Sequence, residues 1–174
     1  MNNVETIFID KNKYNTNPTY YTDLITRISP FDTFEVEDIR KEMQNQTYFC
    51  IVLEDGDVAS ICRIHQFDDG IYVNRPIVTD ERYKEKGYAT KCLLECEKYL
   101  RRIGGKKLIS FIDIGNKASW KLHLKAGYQR VFNDTNYRDD RFCWDTAVVY
   151  EKRLIKQQLK ENNYTDEQHD VCTK

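Results

Sequence analysis

The run Val78-Thr79-Asp80-Glu81-Arg82-Tyr83-Lys84-Glu85-Lys86-Gly87-Tyr88-Ala89-Thr90 lies where the periodicity of the chain changes. Ahead of it, Ile71 to Thr79 is apolar and β-branched and reads as a strand. Behind it, Glu85 to Ile103 repeats at helical spacing, with Ala89, Leu93, Cys96, Leu100 and Ile103 on one side and Lys91, Glu95, Lys98 and Arg101 outside. A strand therefore feeds a lysine-rich loop that opens a helix on small residues, Gly87 and Ala89. The first-turn N–H groups of a helix have no acceptor within it, and the helix dipole favours negative charge there. Gly87 has no side chain to obstruct a phosphate, and Lys84 and Lys86 add positive field, so the run can cradle a pyrophosphate. The same residues read equally well as a solvated charged loop before an ordinary helix start.

On the N-terminal side, Val4 to Ile9 alternates as a strand, Asn12 to Pro18 is Asn-rich and turn-like, and Tyr20 to Ile28 carries helical spacing until Pro30 stops it. Thr33 or Glu35 opens a second helix to about Gln46. Tyr48 to Leu53 and Val58 to His65 are strands around Glu54-Asp55-Gly56-Asp57, a hairpin signal. Pro76 cannot donate a ladder hydrogen bond and predicts a bulge in the third strand. On the C-terminal side, Gly104-Gly105 ends the long helix and Lys107 to Ile114 is a nearly continuous apolar strand. Asn116 to Ala126 is a short helix capped by Asn116 and Gly127, and Tyr128 to Phe132 and Phe142 to Leu154 are strands. The crossovers demand parallel pairing and the hairpins antiparallel pairing. The predicted fold class is α/β, in the α+β sense of a central mixed, mostly antiparallel sheet of about seven strands with helices on both faces. Residues 1–155 form the single domain, and 156–174 are a polar, flexible tail.

Composition narrows the function classes. The chain has 174 residues, 40% hydrophobic and 32% charged, with seven Gly and three Pro, which suits one packed domain. A net charge of −1 from 27 basic and 28 acidic residues argues against nucleic acid as a partner. No apolar run is long enough to span a bilayer and no charged-then-apolar leader opens the chain, so membrane association is not expected and the location reads as cytoplasmic. The six Cys, at 50, 62, 92, 96, 143 and 172, include no Cys-x-x-Cys pair and no His at zinc-ligand spacing, so no metal is expected. Cys92 and Cys96 lie one helical turn apart without a second ligand pair, and the thiols read as reduced and buried.

A second constellation is Asn116-Lys-Ala-Ser-Trp-Lys-Leu-His-Leu-Lys-Ala-Gly-Tyr128. Asn116 and His123 are two turns apart on one helix face, roughly 10 Å along the axis, with Ser119 near that face. Three polar groups so aligned can line a channel. They are also compatible with a helix cap, a surface serine and a satisfied histidine.

Together the two segments resemble the Gcn5-related N-acetyltransferase (GNAT) superfamily. Its Gln/Arg-x-x-Gly-x-Gly/Ala loop after the fourth strand is matched by Lys84-Glu-Lys-Gly87-Tyr-Ala89, with Lys in the first position. Its later Asn, opening a helix that ends in Gly-Phe or Gly-Tyr, is matched by Asn116 and Gly127-Tyr128, and the resemblance covers residues 3–154. Many members carry a Tyr general acid where this chain has His123. The form Asn-x-Ala-Ser-x-x-Leu-His-x-x-x-Gly-Tyr/Phe, with Trp144-Asp145 in the last strand, is similar to the phosphinothricin and amino-acid N-acetyltransferase branch.

The resemblance implies acetyl-coenzyme A as cofactor and direct transfer of its acetyl group to the primary amine of a small molecule, an amino acid or related amine. The cofactor's pyrophosphate would lie on the amides of Lys84, Glu85, Lys86, Gly87, Tyr88, Ala89 and Thr90, and its pantetheine beside Val78 and Thr79. An N–H near Val78 would hold the thioester oxygen, Asn116 and Ser119 would bond the pantetheine, and Lys125 would reach the ribose phosphate. His123 and Asn116 would be the catalytic residues, with His123 protonating the leaving thiolate; at an ordinary pKa of about 6.5, roughly a quarter of it would be protonated at pH 7. The amine needs a base or a water chain, for which His65, Tyr72, Asn74, Asp32 and Glu35 are candidates. Arg63 and Arg75 flank the acceptor side and would pair with a carboxylate, and a homodimer is compatible with the resemblance. The rival reading is a non-catalytic module of the same fold that senses acyl-coenzyme A or docks a protein.

Overall fold

The computed structural model describes residues 2–131 and 147–155. Phe132, the strand expected from Phe142 as far as residue 146, Cys143, Trp144-Asp145, Cys172 and the tail 156–174 lie outside those residues. β1 (Val4–Ile9) leads into three helices, α1 (Lys11–Thr16), α2 (Pro18–Thr26) and α3 (Val36–Gln44). Then come β2 (Thr47–Glu54), β3 (Asp57–Asp68), β4 (Ile71–Thr79), α4 (Tyr88–Arg102), β5 (Lys107–Asp113), α5 (Lys117–Lys125), β6 (Gln129–Arg130) and β7 (Ala147–Arg153). All seven described strands form one sheet, ordered β1-β2-β3-β4-β5-β7-β6, parallel at β4–β5 and antiparallel elsewhere. The expected mixed, mostly antiparallel sheet is the one observed.

Strand alternation sends successive side chains to opposite faces, and both faces here are covered. Phe49, Ile51 and Leu53 of β2 join Ile7, Ile9 and Ile61 against Tyr14, Leu24, Ile25, Phe31 and Ile39 of the α1–α3 layer. Cys50 and Val52 point the other way, with Cys62 and Ile64, against Cys92, Leu93, Cys96 and Leu100 of α4. Those four cysteines are free and buried. That double burial is why β2 is a continuous apolar run.

Three elements depart from the predicted ones. Asn12–Pro18 is not a turn. Asp10 caps α1 through its side chain on the Lys13 N–H at 2.8 Å. Tyr14 is buried with its hydroxyl donating to the Val36 carbonyl at 2.9 Å. A cap and a tertiary anchor thus override weak local propensity. The long helix starts at Tyr88 rather than Glu85, because Glu85 (φ 64°) and Gly87 (φ 82°) are left-handed and a 3-10 turn occupies Glu81–Tyr83. β6 is only Gln129–Arg130.

The bulge expected at Pro76 is present. Cys62 pairs with Ile77 and Ile64 with Asn74, so Arg75 and Pro76 together stand opposite Arg63. On the α4–α5 face, Lys152 of β7 reaches Glu97 of α4 at 2.7 Å and the Ala126 carbonyl at the end of α5 at 2.6 Å. One ammonium thereby fixes the spacing of the two helices. Among the described residues no helix is long and apolar enough to cross a membrane.

Phe49, 0% exposed and edge-on to Phe31 at 5.5 Å, is the keystone of the α1–α3 layer. Phe49→Ala should cost about 3–5 kcal/mol in urea unfolding, whereas Leu94→Ala on the outer side of α4 should stay within about 0.5 kcal/mol.

Candidate active site

β4 and β5 share only the pairs Ile71–Lys107, Tyr72–Leu108 and Val73–Ile109. Beyond Val73 the β5-facing edge of β4 has no strand partner among the described residues. The bulge at Arg75-Pro76 follows at once, and the strands splay apart. The wedge between them is a cleft of about 180 Å³, walled by Asn74 to Ile77 of β4 and Ser110 to Asp113 of β5. Asn116, Ser119 and His123 close it from α5. A wider surface groove of about 540 Å³ lies between α2 and α3, but its Asp23 and Glu37 are already ion-paired with Arg27 and Arg40.

His123 joins the three walls. Its Nδ1 lies 2.7 Å from the Ser119 carbonyl, its Nε2 lies 2.9 Å from Ser110 Oγ and 3.1 Å from Asn74 Nδ2, and the residue is 2% exposed. A carbonyl only accepts, so Nδ1 carries the proton; an amide nitrogen only donates, so Nε2 is the acceptor. Burial pushes the His123 pKa below its ordinary value, more than the Ser119 carbonyl and the distant Glu97 raise it. The imidazole is therefore neutral, oriented by its own helix, with its lone pair turned to β4 and β5. Tyr128 fixes the ring edge-on at 5.0 Å.

The loop before α4 has a different electrostatic character from the one its composition implies. Lys84 is ion-paired with Glu81, and Lys86 reaches both carboxylate oxygens of Glu54 at 2.9 Å. The positive field expected from the two lysines is thus largely neutralised. What remains is the backbone: the unpaired first-turn N–H groups of α4 and a Gly87 whose missing Cβ would meet nothing within 4 Å. That open space over a helix start suits a phosphate group.

The other sequence candidates divide. Asn74 and Arg75 line the cleft with Asn116, Ser119 and His123, whereas Val78 and Thr79 continue along the open edge of β4. Asn116 caps α5 through its Oδ1 on the Ser119 N–H at 3.0 Å, and Thr79 Oγ1 meets Ser60 Oγ at 3.0 Å. Lys125 sits at the end of α5 remote from Asn116 and is not part of the cleft wall. Arg63 is held by Glu42 of α3, its Nε 2.9 Å from Oε2, so its charge is spent on packing α3. Tyr72 is buried among the side chains facing α4, and His65 stands on β3 beside Val73, outside the cleft wall. Asp32 and Glu35 are exposed in the helical layer and do not line the cleft. Sequence reasoning missed Ser110 and Glu54. Ser110 was signalled as the lone polar residue in the apolar run Leu108–Ile112, whereas Glu54 looked like an ordinary turn-flanking acid. Among the described residues no three His, Cys, Asp or Glu side chains converge to hold a metal ion.

With this geometry in view, the sequence profile of the Acetyltransferase (GNAT) family matches residues 14–128. No curated protein matches significantly in sequence. Among solved structures, an N-acetyltransferase from Staphylococcus aureus Mu50 is similar at 21% identity and a TM-score of 0.62, over 88% of this chain and 99% of its own. The PaiA N-acetyltransferase from Thermoplasma acidophilum, solved in complex with coenzyme A, is similar at 12% identity and a TM-score of 0.62, over 87% of this chain and 99% of its own. YncA from Salmonella typhimurium, solved with its cofactor acetyl-CoA, gives 16% identity and a TM-score of 0.62, over 88% of this chain and 95% of its own. At these identities the likeness is one of fold.

A buried neutral histidine makes a signed prediction. Its folded pKa is lowered, so below the unfolded value of about 6.5 the unfolded chain binds the extra proton first and stability falls as pH falls. The His123 Hε1 resonance should titrate below about pH 6.5, and His123→Gln should remove part of the stability difference between about pH 7.5 and 5.5 in urea melts. A midpoint above the ordinary value would overturn the neutral assignment.

Proposed function

The chain belongs to the acetyltransferase (GNAT) family and is an acyltransferase, and from that premise we propose that it uses acetyl-coenzyme A to acetylate the primary amine of a small molecule, an amino acid or related amine, by direct transfer. The observation that carries this reading is the β4–β5 wedge with a neutral histidine at its floor. When bound, acetyl-coenzyme A supplies an activated acetyl thioester.

The chain's own groups then divide the work. The amides from Lys84 to Thr90 hold the pyrophosphate, over a Gly87 that leaves space for it. The open edge of β4 toward Val78 and Thr79 pairs with the pantetheine as an added strand would, and Asn116 and Ser119 bond it from α5. Lys125, at the end of α5, would be the residue to reach the ribose phosphate. A backbone N–H near Val78 would support the thioester oxygen when acetyl-coenzyme A is bound. His123 Nε2 is an acceptor, so it is fitted to take up the proton that the attacking amine sheds, directly or through Ser110. This replaces the acid role expected from its position: burial shrinks the imidazolium fraction, and a thiolate departs adequately unaided. The acceptor class follows the amino-acid branch that Asn116 to Tyr128 resembles, with Arg75 in the cleft wall as the residue facing an acceptor carboxylate.

Release of coenzyme A thiol should depend on the amine, and an amino acid should be acetylated faster than its decarboxylated counterpart. His123→Ala should lower kcat by about 100-fold while the Kd for coenzyme A moves less than about threefold. Tight binding of acetyl-coenzyme A with no thiol release across amino acids, polyamines and aminoglycosides would instead favour the sensing module.

A further inference from the structure

Glu54 ends β2 and is 2% exposed, a burial that an acidic side chain tolerates only when its oxygens are satisfied. Three donors from two directions satisfy it. Lys86 Nζ lies 2.9 Å from both oxygens, Tyr88 hydroxyl donates to Oε2 at 2.8 Å, and Asn2 Nδ2 donates to Oε1. Lys86 and Tyr88 flank Gly87, the left-handed residue at the turn into α4. One carboxylate therefore grips the loop on both sides of the glycine.

The same hairpin turn holds the loop a second time. Asp57 takes Arg82 Nη1 at 3.2 Å and the Tyr83 hydroxyl at 3.1 Å. Arg82 and Asp57 are more than half exposed, and exposed ion pairs contribute little, so the buried Glu54 arm dominates. The hydrogen bonds from Lys86, Asn2 and Tyr88 hold its pKa down to about 2, and the tether stays closed throughout the neutral range.

We propose that Glu54 is a positioning residue for the pyrophosphate loop: it draws the Lys86 and Tyr88 side chains onto the sheet and so fixes the turn at Gly87 in the form that presents the loop amides to a phosphate. Lys86 is then a structural cation and not a phosphate ligand, and affinity for the diphosphate comes from preorganised backbone. This inference rests on the proposed coenzyme A site.

Two opposite expectations separate the roles of Lys86. If Lys86 served the phosphate directly, Glu54→Gln would release it and coenzyme A would bind more tightly. The tether requires the reverse. Calorimetry should show Glu54→Gln and Lys86→Gln each weakening coenzyme A by about fivefold to twentyfold, with the double variant no worse than the stronger single one. Acetyl-pantetheine, which lacks the diphosphate, should have the same KM with Glu54→Gln as with the wild type, and with acetyl-coenzyme A kcat/KM should fall far more than kcat. Tighter coenzyme A binding, additive effects, or an equal loss on acetyl-pantetheine would overturn the role of Glu54. Should Glu54→Gln fail to fold, Tyr88→Phe removes one strand of the tether, and an unchanged Kd there would overturn the proposal as well. If the wild type binds acetyl-pantetheine but not coenzyme A, the pyrophosphate site itself is wrong and the inference falls with it.

Discussion

Three residues of parallel pairing hold the two halves of this sheet together. From Ile71 to Val73, β4 lies against β5 as a continuous ladder; one residue later it leaves. The cause is local and covalent. Pro76 has no N–H to donate and, with Arg75, forms the extra length opposite Arg63, so β4 follows β3 at the cost of its register with β5. The remaining architecture accommodates that departure: α5 closes the opening, and Lys152 and Glu97 keep α4 and α5 a fixed distance apart. A splayed parallel pair exposes a β edge inside the molecule, where a ligand rather than a partner chain can complete it.

The interior of the wedge is polar in a way that a purely structural seam would not be. Asn74, Ser110 and His123 are all buried, and each would carry a desolvation cost if left without a partner. They satisfy one another around Nε2, and the Ser119 carbonyl settles the other side of the ring. One imidazole thus ties β4, β5 and α5 together where backbone pairing has stopped. The same contacts that make it a strut fix its tautomer, so structural and chemical roles cannot be separated at this residue.

Much of this was legible in the chain because the signals were short in range. The hairpin at Glu54–Asp57, the bulge at Pro76, the strand-to-helix passage around Gly87 and the Asn116 cap each arise within a few residues, and each is found where local chemistry puts it. Helix α1 was illegible because its stability lies in Tyr14, whose hydroxyl bonds Val36 some twenty residues away. The charge state of the loop was illegible for the same reason. Lys84 and Lys86 count as two cations in a composition, yet Lys86 belongs to Glu54, thirty-two residues earlier, and Arg63 likewise belongs to Glu42 of α3. Spacing reveals which residues share a face; it does not reveal which charges have already been claimed.

That distinction bears on how an anion would be recognised here. A free lysine attracts any phosphate through a long, flexible stem, and loses side-chain entropy when it does. A lysine locked to a buried carboxylate contributes almost no net field, but it stiffens the backbone beside it. Recognition then depends on amide geometry, which rewards a diphosphate that fits the turn and gives little to a lone phosphate or a polyanion. The near-neutral net charge of the chain agrees with this, since a site built from oriented dipoles needs no basic surplus around it. In the proposed reading, selectivity at the loop and in the wedge would rest on one device: polar groups whose partners are settled before any ligand arrives.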